Sequence, residues 1–261
     1  MGVNLVFYSG GVASFWAAHR VIEAVGRASV RLLFTDTMIE DADLYRFLDE
    51  TESYLGVKVE RIADGRTPFE VFRDVRLLGN SMMDPCSRVL KREIARKWVR
   101  DHYTPEDVTL VMGMDWSEGH RIVRTQEAWK PYRVIAPLDD APYLTKADML
   151  ADLARIGIDP PRLYALGFPH NNCGGACVKA GKAHWRHLLR TLPDVYARWE
   201  SFEDEMREML GKDVAILKES VNGQSTPITL ASLRSRVESQ TQMTFDDIHD
   251  WGGCGCMAGD I

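Results

Sequence analysis

Val3-Asn4-Leu5-Val6-Phe7-Tyr8-Ser9-Gly10-Gly11-Val12-Ala13-Ser14-Phe15-Trp16 is the stretch whose reading decides the fold. An apolar run over residues 3–8 breaks at Ser-Gly-Gly. From residue 13 to residue 25 the apolar residues Phe15, Trp16, Ala18, Val21, Ile22 and Val25 recur at helical spacing, and Gly26 closes the helix. A buried strand therefore runs through a glycine-rich turn directly into a helix. Such a loop suits phosphate: glycines let the backbone approach closely, the first N–H groups of the helix donate, and the helix dipole favours negative charge. Ser9 and Ser14 add hydroxyl donors. Ser-Gly-Gly-x-x-Ser is neither the Walker pattern nor the spaced-glycine dinucleotide pattern. A tight turn without a ligand is the plain alternative, but ligands gather at the carboxyl ends of strands in doubly wound sheets, and this loop leaves the first strand.

Working outward, further strands are predicted over residues 30–34, 57–62, 107–112 and 133–136, the last stopped by Pro137. Helices are predicted over 41–55, 86–103 and 144–156, with Thr145-Lys146-Ala147-Asp148 as the start of the last. Alternating strands and helices with short connections predict an α/β fold, a doubly wound, mostly parallel, Rossmann-like sheet covered on both faces. After Pro160-Pro161 the pattern turns helical, over 182–190 and 194–210, with few strand signals and a polar stretch at 222–226. The expected organisation is a nucleotide-binding α/β domain over 1–150 and a helical C-terminal region over 151–261, with a cysteine pair and a cysteine-containing tail.

The chain has 261 residues, 45% hydrophobic and 27% charged, which allows a large core and excludes wholesale disorder. No apolar run approaches the roughly 18 residues of a membrane span. The start reads as a strand and not as a signal peptide, so a cytoplasmic location with no membrane partner is expected. A net charge of -6 argues against broad nucleic-acid binding while leaving room for a local basic groove. The five cysteines are Cys86, Cys173, Cys177, Cys254 and Cys256. In a reducing compartment they are not a disulfide framework; two close pairs and a distant partner point to metal or sulfur chemistry. Thiolates suit iron–sulfur clusters and zinc, and simple packing of a turn is the bland alternative.

The loop Ser9-Gly10-Gly11-Val12-Ala13-Ser14 resembles the PP-loop of ATP pyrophosphatases. With the rest of the chain it is similar to the phosphoadenosine phosphosulfate (PAPS) reductase-like branch of that superfamily. The other matching segments are Phe34-Thr35-Asp36-Thr37, Cys86-Ser87-Arg88-Val89-Leu90-Lys91, Gly113 with Glu118 and Arg121, and residues 167–177 ending in Cys173-Gly174-Gly175-Ala176-Cys177. The resemblance covers roughly residues 3–180 and implies an adenine nucleotide alpha hydrolase-like fold. It implies ATP and Mg2+ as ligands, with Ser9, Gly10, Gly11, Val12, Ala13 and Ser14 around the phosphates, and Asp36, Thr37 and Gly113 at neighbouring strand ends. The position before the last serine usually carries Asp and here is Ala13, so Asp36 is the substitute carboxylate to test; a turn role for Asp36 is equally open.

The same resemblance implies a [4Fe–4S] cluster held by Cys86, Cys173 and Cys177, although related members commonly place two residues within the late pair where three stand here. Zinc is the rival for these ligands. Cys254 or Cys256 would complete the site or, as in PAPS reductases, attack a sulfonucleotide from the tail. Lys91 matches an anion-binding lysine of the family, and Arg121 and Arg124 follow a strand end where phosphate could be clamped. The run Arg88, Lys91, Arg92, Arg96 and Lys97 otherwise reads as a solvated basic face, and 200–208 as a solvated acidic one. Lys179, Lys182, His184, Arg186 and His187 form a second basic zone suited to nucleic acid, with Trp185 either stacking on it or packing in the core.

The expected function is therefore an ATP pyrophosphatase that forms AMP and pyrophosphate and activates a substrate for sulfur transfer, with Lys91 and Arg121 stabilising phosphate charge. A sulfur donor such as a cysteine desulfurase and a nucleic-acid acceptor, as in DNA phosphorothioation, are the partners this implies. The rivals are a PAPS reductase that releases sulfite through Cys254 or Cys256 with a thiol reductant, and a nucleotide-binding module without catalysis.

Overall fold

A computed structural model describes the protein at residues 2–221, 224–239 and 248–253. Its first half alternates strand and helix: β1 (Val3–Phe7), α1 (Val12–Val25), β2 (Val30–Asp36), α2 (Ala42–Leu55), β3 (Val59–Ala63) and α3 (Pro68–Val75). A continuous helical stretch comes next as α4 (Pro85–Ser87), a π-helical turn (Arg88–Glu93) and α5 (Ile94–His102), then β4 (Val108–Val111), α6 (Gly119–Ala128), β5 (Arg133–Ile135) and α7 (Lys146–Arg155). The five strands form one sheet in the order β3-β2-β1-β4-β5, every pair parallel.

Alternation along the strands explains the two covered faces. Val6, Leu32, Phe34 and Val111 join residues of α1, α2 and α7 in one core, while Leu5, Phe7, Leu33 and Leu110 pack with α5 and α6 in another. The Trp16 indole N–H donates to the Met149 carbonyl at 2.9 Å and fastens α7 to α1. The order reverses beside β1, whose neighbours are β2 on one side and β4 on the other. The turns after β1 and β4 diverge there and open a crevice at the strand ends.

The rest of the chain builds a third core from α8 (Arg162–Ala165), α9 (Lys182–Thr191), α10 (Pro193–Leu210), a hairpin of β6 (Leu217–Val221) and β7 (Gln224–Ile228), and α11 (Leu230–Ser239). Its centre is aromatic: Phe69 and Phe72 of α3 lie against Trp199 and Phe202 of α10. The hairpin corrects the expectation of few strands in this half. Residues 224–227 of β7 are exposed, so no apolar alternation marks the strand. α3 and α6 also lie outside the sequence expectation, although Thr67 and Glu70 make a capping box that announces α3. Among the described residues no helix is long and apolar enough to cross a membrane.

The acidic stretch on α10 is not wholly a solvated face. Glu203 is fully buried, and its carboxylate accepts the backbone N–H of Ile216 at 2.8 Å and of Leu230 at 2.6 Å, pinning both ends of the hairpin segment. Burial pushes its pKa up from 4.5 to about 7, against the lowering effect of those two hydrogen bonds. A raised carboxylate pKa favours the folded state fully below the unfolded value, and that contribution is lost as pH rises towards the folded value. Urea denaturation of the wild type should therefore lose up to about 3 kcal/mol between pH 4.5 and 7.5 from this group. Glu203→Gln should flatten that part of the pH profile; an identical profile in the variant would refute the assignment.

Candidate nucleotide-binding site

A cavity of about 590 Å³ opens at the carboxyl ends of β1, β2 and β4. Ser9, Gly11, Val12, Ala13 and Ser14 line it beside Phe7, Phe34, Thr35, Met112, Gly113 and Met114. α1 begins at Gly11 with no side chain capping it, so its first turn faces the cavity with N–H donors that an anion can satisfy. Val12 N–H makes a long contact of 3.4 Å to the Tyr164 hydroxyl. Ser14 Oγ donates to the Gly11 carbonyl at 2.8 Å, and Ser9 Oγ lies 3.3 Å from Ser14 Oγ. Gly10 has a left-handed φ of 75°, and its carbonyl accepts the buried Asn171 side-chain amide at 3.3 Å. Gly113 is required by a backbone contact: a Cβ there would sit 2.7 Å from Ser14 Cα.

Three cationic side chains line the cavity: Lys91, Arg121 and Lys146. Lys91, on the π-helical turn, is buried and lies 3.5 Å from Glu40 Oε1. Arg121, on α6, pairs with Glu118, yet its Nε is buried with no hydrogen-bond partner among the described residues. Lys146, at the first position of α7, donates to the Pro169 carbonyl at 2.5 Å. Arg124 is exposed and does not line the cavity. Asp36 does not line it either; its carboxylate accepts Met38 N–H at 2.8 Å and the Tyr45 hydroxyl at 2.9 Å, which is the turn role. Residues 169–172, within the resembling segment 167–177, and Trp251-Gly252-Gly253, next to the tail cysteines, also form cavity wall. Asn171 and Asn172 come after a left-handed Gly167 (φ 88°), a local signal that this segment folds back on the sheet.

Thr37 belongs to a second, smaller cavity. Cys86, Cys173 and Cys177 line it together with Thr37, Asp84, Lys91 and Lys179. Its volume of about 20 Å³ is room for one water-sized sphere. Thiols are the donor chemistry of an iron–sulfur or zinc centre, but among the described residues no group of three His, Cys, Asp or Glu is drawn together as a metal-holding set. Cys254 and Cys256 lie outside the described residues.

Glu40 holds this region together. One carboxylate oxygen accepts Thr37 Oγ1–H at 2.9 Å, and the other accepts Cys173 N–H at 2.5 Å. Cys173, Gly174 and Gly175 all take left-handed φ values of 53°, 60° and 85°. At Gly174 a Cβ would come within 2.8 Å of the Ile39 carbonyl. A non-glycine residue in this region costs about 1 kcal/mol or more, so the surroundings impose the conformation of Cys173. His184, fully buried on α9, adds a hydrogen bond of 2.7 Å between Nε2 and the Gly175 carbonyl. Burial pushes the His184 pKa down, so the ring is neutral near pH 7.

Several basic residues are not where a solvated face would put them. Lys91 and Arg92 are buried, and Arg92 pairs with Asp84 at 3.4 Å; Arg88 and Lys97 are exposed. In the second basic zone Lys182 and His184 are buried, and Trp185 packs in the third core. That zone therefore presents no continuous basic surface. Instead its N-terminal end is covered by the tail: Gly181 N–H donates to the Trp251 carbonyl at 3.1 Å and Ala183 N–H to the Asp250 carbonyl at 2.8 Å. Trp251 lies over His184 and His187, with centroid distances of 6.1 and 5.6 Å.

A doubly wound parallel sheet with an uncapped helix start at its switch point defines a Rossmann-like α/β fold. The chain is similar to a solved PAPS reductase from Candida auris in its phosphate complex, with TM-score 0.43 and 16% identity over 63% of this chain and 78% of that one. It is also similar to the NH3-dependent NAD synthetase of Campylobacter jejuni, with TM-score 0.39 and 12% identity over 81% and 84%. A third similar structure is a predicted subunit of tRNA methyltransferase from Methanocaldococcus jannaschii, with TM-score 0.34 and 18% identity over 61% and 90%. The likeness to these structures is one of fold. No family model and no curated protein matches the chain.

Removing the Glu40 carboxylate should be costly, because it takes a counter-charge from the buried Lys91 ammonium and an acceptor from the Cys173 N–H. Glu40→Ala should destabilise the protein by about 3 kcal/mol in urea denaturation at neutral pH. Glu40→Gln, which retains an acceptor for Cys173 N–H, should lose less. An alanine variant within about 0.5 kcal/mol of wild type would show that Glu40 does not hold this region.

Proposed function

We propose that the protein is a PP-loop enzyme that binds ATP, splits it to AMP and pyrophosphate, and activates a substrate for sulfur transfer. The observation that carries this reading is the uncapped start of α1, set behind the Ser9–Ser14 loop in a cavity large enough for a nucleotide. Ser9, Gly10, Gly11 and Ser14 cradle the phosphates through backbone N–H and hydroxyl groups. Lys91 and Arg121 stabilise the charge that develops at the phosphate. The orphaned Arg121 Nε–H supports that role, since a buried donor without an acceptor is expected where a ligand completes the site. Magnesium, carried by the nucleotide, would neutralise its phosphates; no carboxylate of the loop is available to hold it at Ala13.

In this reading Cys86, Cys173 and Cys177 hold a cluster or carry sulfur themselves; the three line one cavity, whose volume of about 20 Å³ takes no cluster as it stands. The acceptor in this reading is a nucleic acid and the sulfur source a cysteine desulfurase. The alternative of a PAPS reductase has its own supporting observation: Trp251-Gly252-Gly253, the residues preceding Cys254, line the nucleotide cavity.

An anaerobic assay with magnesium-ATP, and separately with PAPS, decides between the two. Pyrophosphate and AMP from ATP are expected, with Arg121→Ala lowering the rate about a hundredfold. Sulfite from PAPS, lost in Cys254→Ser or Cys256→Ser, would replace the first reading with the second. Metal and acid-labile sulfide analysis of anaerobically purified protein is expected to find iron and sulfide that Cys86→Ser abolishes. Zinc in their place, or neither, would refute the cluster.

A further inference from the structure

A nucleic-acid acceptor has to bring its phosphates to the opening of the nucleotide cavity on a protein whose net charge is -6. It needs a local concentration of cations there. The zone around α9 does not offer one, since Lys182 and His184 are buried. The outer face of α5 and α6 does. The two helices share one core on the same side of the sheet, and Arg96 of α5 donates to the Ala128 carbonyl at the end of α6 at 3.3 Å. Both lead away from the nucleotide cavity, which Lys91, just before α5, and Arg121, on α6, line.

Charge on this face is unbalanced. Its acidic side chains are used locally: Glu93 by Arg88 at 3.8 Å, Asp101 by Lys97 at 2.5 Å and Glu127 by Lys130 at 2.6 Å. Arg100 and Arg124 are exposed, and among the described residues no carboxylate lies within ion-pair distance of either. Arg96 stands one helical turn from Arg92 and from Arg100, with its guanidinium 5.5 Å from the centre of the Trp129 ring. Burial lowers its pKa, and the charges of Arg92 and Arg100 lower it further, against Glu93. Arg92 is matched by Asp84, so the uncompensated repulsion lies between Arg96 and Arg100, where a polyanion would relieve it.

The end of this face beside the cavity is aromatic. Trp116, in a short 3-10 turn (Trp116–Glu118) that leads into α6, is exposed, and its ring lies 6.0 Å from that of exposed Tyr143. Met114 and Glu118, two residues to either side of Trp116, line the nucleotide cavity. His120 and Arg124 follow Trp116 at intervals of four and are exposed as it is, so indole and guanidinium share the outer side of α6. Asp139 and Asp140 lie on the loop before Tyr143; the positive face runs from Trp116 along α6, away from that loop. An exposed indole in line with unmatched arginines is the equipment for a single strand, whose bases stack while its phosphates pair.

We infer that a single-stranded segment of the nucleic-acid acceptor lies along the α5–α6 face, with its phosphates against Arg96, Arg100 and Arg124 and a base stacked on Trp116 beside the nucleotide cavity. The inference rests on the nucleic-acid acceptor of the proposed function and gives it a surface. Fluorescence anisotropy tests it, with the full-length protein and labelled single strands of DNA and of RNA about 20 nucleotides long, at several salt concentrations. Arg100→Ala and Arg124→Ala should each weaken binding about fivefold and lower the salt slope by about 0.7. Trp116→Ala should weaken binding about tenfold with the slope unchanged, and Trp116→Phe should restore most of it. Lys58→Ala, exposed beside the opposite edge strand β3, should bind as the wild type does. An equal loss in Lys58→Ala would overturn the inference, because any lost cation would then act alike. Wild-type affinity in the arginine variants would overturn it while leaving a nucleic-acid acceptor that docks elsewhere. Arginine losses with Trp116→Ala at wild-type affinity would overturn the stacked base. No binding of either strand by the wild type would overturn the inference and the nucleic-acid acceptor together, whereas titration calorimetry of the same protein with ATP decides the nucleotide reading separately.

Discussion

The buried carboxylate of Glu40 is the constraint on which the two cavities depend. It sits on the turn that leaves β2, almost completely shielded from water, and faces three different elements. Thr37 on its own turn, Cys173 on the later loop and Lys91 on the π-helical turn are all held to it. A carboxylate in such a place is tolerable only when its oxygens are satisfied and its charge is matched. Satisfying it therefore sets the relative positions of the sheet edge, the cysteine loop and the wall lysine. Lys91 lines both cavities, so this one pair fixes the partition between them.

The same constraint explains the irregular backbone nearby. A π-helical turn adds a residue to the helical repeat and rotates the next turn of helix, a feature often found at functional sites. Here it carries Leu90, Lys91 and Arg92 inward together. Three of the cations that a sequence reading assigns to one solvated face are thereby split: Lys91 to Glu40, Arg92 to Asp84, and Lys97 to solvent beside Asp101. A uniform α-helical repeat cannot predict that division, because it depends on partners supplied by other elements.

That is also the general limit of what could be read from the chain. The sheet, the loop after β1 and the capping box of α7 were legible because their signals are local: an apolar run, a glycine turn, a threonine with a carboxylate three residues later. Cys86, Cys173 and Cys177 were singled out by type and spacing, and the structure places all three in the lining of one small cavity without drawing them into a metal-holding set among the described residues. The roles of Glu40 and Glu203 were not, since each carboxylate looks like any other acidic residue until the distant N–H groups it satisfies are placed. Asp36 shows the converse. Its position at a strand end resembles that of a ligand-facing carboxylate, but Tyr45 on the next helix turn already occupies it.

The segment from Pro169 to Cys177 contributes wall to both cavities. Its first part forms wall for the nucleotide cavity and its second part for the cysteine cavity. Between them the backbone turns through three successive left-handed residues, held by Glu40 from one side and His184 from the other. Left-handed conformations at Cys173 and two glycines have few neighbouring alternatives once both anchors are made. A ligand that draws Asn171 or Asn172 towards the phosphate loop therefore acts on the same short, over-determined turn that aims the cysteines. Both cavities therefore share one turn, and its two anchors, Glu40 and His184, bear on the walls of both.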